Sequence, residues 1–140
     1  MKYILIFTFS LLLLFSCEGN TGKKQGEVLS LPESIVRSQV TVYYFQGKQK
    51  CETCNTVKQH TEKIISSRFG TDNRVSYLIV DINDKKNKHI VEKYKIAWNA
   101  LVVTKGDTTI NLTLQVFSYA LSNPDRISSF VSEKIESMLE

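Results

Sequence analysis

Two cysteines separated by two residues, in Cys51-Glu52-Thr53-Cys54, carry the spacing in this chain most suited to covalent chemistry. Thiols that far apart can close a ring as a disulfide and reopen as a dithiol. Val57, Thr61, Ile64, Ile65 and Phe69 follow at helical intervals, so the spacing predicts a helix from Cys54 to about Phe69, ending at Gly70. A cysteine at a helix mouth meets unpaired N–H groups and the positive end of the helix dipole, and both stabilise a thiolate. Lys48 and Lys50 push the same way, and Glu52 opposes them. Cys51 is therefore expected to attack as thiolate, and Cys54, one helical turn on, to resolve the mixed disulfide. The dithiol itself carries the electrons, so no organic cofactor is required.

Two other uses of the pair stay open. Cys51 and Cys54 could hold a soft ion such as Cu(I), as in a metallochaperone, or complete a site across a dimer. A single chain offers only these two clear ligands, short of a closed zinc site. Alternatively they form a fixed bridge that caps a helix in a redox-inert interaction module. His60 belongs on the flank of the helix after the pair, and His89, in a lysine-rich stretch, belongs to solvent. The run Lys85-Lys86-Asn87-Lys88 reads as a solvated helix face, so nucleic acid is not expected as a partner. Asn111-Leu112-Thr113 matches a glycosylation sequon that the N-terminal signal makes incidental.

The elements that must position the pair follow from apolar patterning. Ile35 to Phe45 is the first strand. Its Val40-Thr41-Val42-Tyr43-Tyr44-Phe45 portion is rich in β-branched and aromatic residues on both faces, as in a strand buried from both sides. Val75 to Val80 is the second strand, ending at Asp81, and a helix starting near Asp84 buries Ile90, Val91 and Tyr94. Leu101-Val102-Val103 and Thr109 to Leu114 flank the turn Lys105-Gly106-Asp107 as a hairpin. Residues 115–122 read as a loop. Asn123 is the expected N-cap of a last helix, with Pro124 at its first position and Ile127, Phe130, Val131, Ile135 and Leu139 on its buried face.

At 140 residues with a net charge of +4, the chain holds one domain with a core that needs no disulfide staples. Residues 1–16 stand apart from it. Lys2 supplies a positive start and Ile4 to Phe15 an apolar run too short for an ordinary membrane span. Leu14-Phe15-Ser16-Cys17 then resembles the lipobox of bacterial lipoproteins. That resemblance implies cleavage before Cys17 and acylation of Cys17, an anchor stable enough to keep the protein on a membrane. A simple secretory signal, with Cys17 a spare thiol, is the alternative. Residues 17–34 are polar and glycine-bearing and read as a flexible tether, about 20 Å long on average, leaving 35–140 as the domain.

Over residues 35–140 the chain resembles the thioredoxin family. The resemblance lies in Cys51-Glu52-Thr53-Cys54 after the strand ending Tyr44-Phe45, in Val80-Asp81-Ile82-Asn83, in Lys93-Tyr94-Lys95-Ile96, and in Leu101-Val102-Val103 leading to Lys105-Gly106. It implies a thioredoxin-like α/β fold: a central mixed sheet with two parallel βαβ crossovers, a terminal β-hairpin and a C-terminal helix, with the cysteine pair at the carboxyl end of a central strand. It also implies thiol–disulfide exchange with a protein or small-molecule substrate, and a membrane thiol-electron transporter as partner if the protein reduces its targets. Together with the lipid on Cys17 this places the protein in the bacterial cell envelope, facing the periplasm.

The pattern departs from that family at the site. Lys50 stands where tryptophan precedes the first cysteine, and Glu52-Thr53 replaces Gly-Pro between the two, so the direction of electron flow does not carry over. Tyr44 occupies the place of a buried acid. No proline occurs in Ile96-Ala97-Trp98-Asn99-Ala100-Leu101, the segment where the family has a cis-proline facing the sulfurs. Lys50, Trp98, Asn99 and Ala100 are the expected substrate-groove residues, with Trp98 either walling the groove or plugging the core.

Overall fold

The computed structural model describes residues 40–140. The expected signal segment, Cys17, the tether and the Ile35 start of the first strand lie outside the described residues.

A sheet of four strands in the order β2-β1-β3-β4 forms the middle layer. Strand β1 (Val40–Gln46) is central and buried nearly throughout, as its apolar residues on both faces require. Val40, Val42 and Tyr44 enter one core with Leu101 and Val103, while Tyr43 and Phe45 enter the other with Val80, Ala100 and Val102. The first core is covered by three helices: α1 (Glu52–Ile64), α3 (Thr113–Ser122) and α4 (Asp125–Leu139), through Val57, Val116, Ile127, Val131 and Ile135. The second lies under the short helix α2 (Lys88–Lys93), with Ile90 buried and Tyr94 packed on Tyr43 and Phe45.

Strand β2 (Val75–Asp81) runs parallel to β1 in the register Val40↔Val75 to Gln46↔Asp81, so β1-α1-β2 is one βαβ unit. Strand β3 (Ala100–Lys105) runs antiparallel to β1, with Phe45 opposite Ala100 and Thr41 opposite Thr104. The expected second parallel crossover is therefore corrected. The six helical residues of α2 span only about 9 Å, whereas a seven-residue strand spans about 23 Å, so α2 by itself does not return the chain to the far end of the sheet. The chain instead turns at Lys95, at φ 53°, and enters β3 beside the end of β1 from which the cysteine loop departs. Gly106 (φ 56°) and Asp107 then turn the chain into β4 (Thr108–Asn111), the antiparallel edge expected of the hairpin. One crossover, a hairpin and two closing helices on this strand order make a mixed α/β fold, the arrangement that the thioredoxin resemblance implies apart from the second crossover.

Three boundaries differ from the sequence reading. Helix α1 begins at Glu52 rather than Cys54, and its last turn widens into a π-helical stretch, Ile65–Phe69, before Gly70. Strand β4 ends at Asn111, and residues 115–122 belong to helix α3 instead of a loop. Asn123 precedes the capping residue: Pro124 occupies the N-cap of α4, with the Arg126 and Ile127 N–H groups bonding to the Asn123 and Pro124 carbonyls.

Candidate functional site

The local sequence puts Cys51 at the N-cap of α1. Its backbone is extended (φ −90°, ψ 158°), its carbonyl accepts from Asn55 N–H, and its Sγ accepts from Cys54 N–H at 3.1 Å. A cap of this kind usually holds a serine or aspartate oxygen. Here it holds sulfur, in the place where a first-turn N–H and the helix dipole both favour negative charge. Cys51 is joined to Cys54 in a disulfide, with Cα atoms 5.1 Å apart. Cys51 is exposed and Cys54 buried.

Beneath the pair, Tyr44 on β1 sends its hydroxyl to the Cys54 carbonyl at 2.9 Å. Burial pushes that hydroxyl up to about 12, with the Glu62 carboxylate adding to the shift. Lys48 and Lys50 are exposed on the loop ahead of Cys51. Asp81, at the end of β2, is held below the usual carboxylate range by hydrogen bonds from Asn83, with Lys48 contributing less.

A groove of about 820 Å³ opens beside the disulfide. Its floor holds Cys51, Cys54, Asn99 and Ala100, one wall is Ile96-Ala97-Trp98, and the other is the start of α3. Trp98 is 73% exposed and Leu114 79% exposed, so both walls offer large apolar surface to solvent. That decides between the two expectations for Trp98: it walls the groove and does not plug the core. Among the described residues, Lys95 is the one charged side chain lining the groove. Lys50 is not among the lining residues. Ala100 is buried as the first residue of β3. Asn99, also buried, turns its carboxamide toward the cysteine loop, accepting from Gly47 N–H and donating to the Gln49 carbonyl.

The wall formed by Thr113, Leu114, Gln115 and Phe117 is absent from the sequence reading. Thr113 Oγ1 accepts from Leu101 N–H at 3.0 Å, fixing the start of α3 against β3. The available signal was Asn111, whose Oδ1 accepts from Thr113 N–H as a helix cap would, together with Leu112 and Val116 four residues apart and both buried. His60 lies on the flank of α1 against Ser128 of α4, and His89 is exposed. Among the described residues, no three or more His, Cys, Asp or Glu side chains converge as a metal-binding group. No helix among them is long and apolar enough to cross a membrane.

No family model matches the sequence, and no curated protein matches it. Several solved structures resemble the fold. One, described as a malarial protein, is 20% identical, with 58% of this chain and 94% of that chain covered, at a TM-score of 0.39. Another is thioredoxin-2, a component of the malaria parasite protein secretion machinery; it is 23% identical, with 51% and 65% covered, at a TM-score of 0.39. A third, the zinc-bound form of human ERp44, is 14% identical, with 62% of this chain and 27% of that chain covered, at a TM-score of 0.41.

Proposed function

We propose that this chain is a membrane-tethered thiol–disulfide oxidoreductase acting outside the cytoplasm of a bacterium. The observation that carries the reading is the placement of one disulfide. Cys51 is exposed at a helix N-cap with its sulfur on the Cys54 N–H, Cys54 is buried behind it, and a groove with apolar walls opens alongside. In the reducing direction the Cys51 thiolate attacks one sulfur of a substrate disulfide, the substrate S–S bond breaks, and the other substrate sulfur leaves as thiolate. Cys54 then loses its proton and attacks Cys51, releasing the second substrate thiolate. Two electrons have passed to the substrate and the Cys51–Cys54 disulfide has formed. The oxidising direction is the reverse.

The tethering rests on the apolar run ending at Cys17 and on the polar stretch after it. The chain enters the described fold at Val40, at the opposite end of β1 from the cysteine loop. As a reductant the protein takes its electrons from a membrane thiol-electron transporter; as an oxidant it delivers them to one.

Equilibration in glutathione buffers of graded ratio, followed by acid quenching and counting of free thiols, tests the activity. The expected result is one reversible two-electron transition. A pair that stays as it was prepared, whichever side it is approached from, contradicts the reading.

A further inference from the structure

We infer that Asn99 is a positioning residue for the redox pair, its carboxamide clamping the loop 47–49 and thereby holding Cys51 at the helix N-cap. The inference rests on the oxidoreductase reading and names a residue that tunes it. Asn99 is 8% exposed, just before β3, yet both arms of its amide reach across the sheet end to the segment linking β1 to α1. Oδ1 accepts from Gly47 N–H, and Nδ2 donates to the Gln49 carbonyl at 3.1 Å. A side-chain amide presents an acceptor and a donor on one small planar head without needing to change its protonation state. Gly47 eases the approach: a Cβ there would stand 3.2 Å from Asn99 Oδ1, a tight contact that would push the amide by a few tenths of an ångström. Lys48, Gln49 and Lys50 are exposed and belong to neither strand nor helix, and Gln49 is two residues from Cys51. The clamp is thus a tether between the groove floor and the loop that carries the nucleophile.

The two redox forms need this tether unequally. In the disulfide form the ring closed by Cys51 and Cys54 fixes Cys51 against α1. In the dithiol form that covalent tie is gone, which leaves the Asn99 amide and the Cys54 N–H, both in place in the disulfide form, as the contacts available to hold the loop. Removing the clamp therefore costs the dithiol more than the disulfide. It also loosens the thiolate from its helix N-terminus, which raises the pH at which Cys51 ionises.

The test compares wild type, Asn99→Ala, Gly47→Ala and the double variant. Gly47→Ala crowds the amide from the other side and keeps the proposal testable if Asn99→Ala folds poorly. The expected result is a shift of the glutathione equilibrium toward the disulfide by about tenfold for Asn99→Ala, or about 30 mV, and a smaller shift the same way for Gly47→Ala. The double variant should match Asn99→Ala alone, because both substitutions act on one contact. Cys51 alkylation in a Cys54→Ser background should move to higher pH when Asn99 is replaced. Urea unfolding of both redox forms supplies a readout independent of exchange, and the reduced form should lose more stability. Equal losses in the two forms, with equilibrium and pH profile unmoved, would make Asn99 a structural spacer and overturn the inference. If wild type itself fails to exchange with glutathione, the oxidoreductase reading falls. The unfolding comparison then still decides the clamp, unequal losses sustaining it and equal losses overturning it.

Discussion

The Tyr44 hydroxyl and the Cys54 carbonyl oxygen lie 2.9 Å apart, joining the central strand to the second cysteine. At the position where the family resemblance would put an ionisable acid, this chain places a hydrogen-bond donor. Its pKa is pushed up to about 12, so at neutral pH it holds its proton and does not accept one from Cys54.

Tyr44→Phe should cost about 1 kcal/mol at neutral pH, the usual net worth of one hydrogen bond. It should also alter alkaline stability. A tyrosine raised from about 10 to about 12 on folding stabilises the protein fully below pH 10, and that contribution is lost as pH rises through 12. Urea unfolding at several pH values should give wild type a steeper decline from pH 10 upward than the variant. Tyr77 and Tyr43, both raised by burial, leave the variant some decline of its own.

Lys95→Gly should stabilise the fold by about 1 kcal/mol. Ile96 N–H bonds to Val91 O and Lys95 N–H to Glu92 O, a helix-ending motif that places Lys95 at φ 53° where glycine is unstrained. Because Lys95 also places a positive charge on the groove lining, exchange with acidic substrates should slow while thermal stability rises. A loss of stability on substitution would show that the lysine side chain contributes more than its backbone costs.

Trp98→Ala should leave stability within about 0.5 kcal/mol, since the ring is largely exposed. Turnover of a protein disulfide should fall about tenfold, the usual cost of losing an aromatic anchor, while glutathione exchange stays nearly constant. Equal falls for both substrates would place Trp98's effect on the cysteine pair and not on the groove.

The parts legible in the sequence were those fixed by local pattern: β1, β2, the helix after the cysteines and the hairpin turn at Gly106. The direction of β3 was not, because it depends on how far α2 reaches, and α2 is only six residues long. Helix α3 was hidden for a different reason. Thr113, Val116, Phe117 and Tyr119 are mediocre helix formers, and Leu112-Thr113-Leu114 continues the alternation of β4, so tertiary packing on Leu101 and Val103 overrides the strand-like reading. With it went one wall of the groove. Asn99 is expected at the groove from the sequence, but the target of its side chain, fifty residues earlier, is not legible there.

Cys17 should be the mature N-terminus and carry lipid, because an apolar run ends there after a leucine and a small residue. Mass spectrometry of the membrane fraction should find acylated Cys17, and Cys17→Ala should release folded protein into the soluble fraction. Cleavage elsewhere, or a free Cys17 thiol, contradicts this.

The division of labour between the two cysteines gives the most direct test of the central claim. Cys51 is exposed at the helix mouth and Cys54 is buried, so attack should begin at Cys51. Reduced single variants, Cys54→Ser and Cys51→Ser, are incubated with a cell-envelope extract, and adducts are resolved before and after dithiothreitol. Cys54→Ser should attack once and remain trapped as a reducible mixed disulfide, and Cys51→Ser should trap almost nothing. Equal trapping by both would refute the assignment of the nucleophile. No trapping by either, with a stoichiometric metal ion surviving desalting of the reduced wild type, would contradict the oxidoreductase account itself.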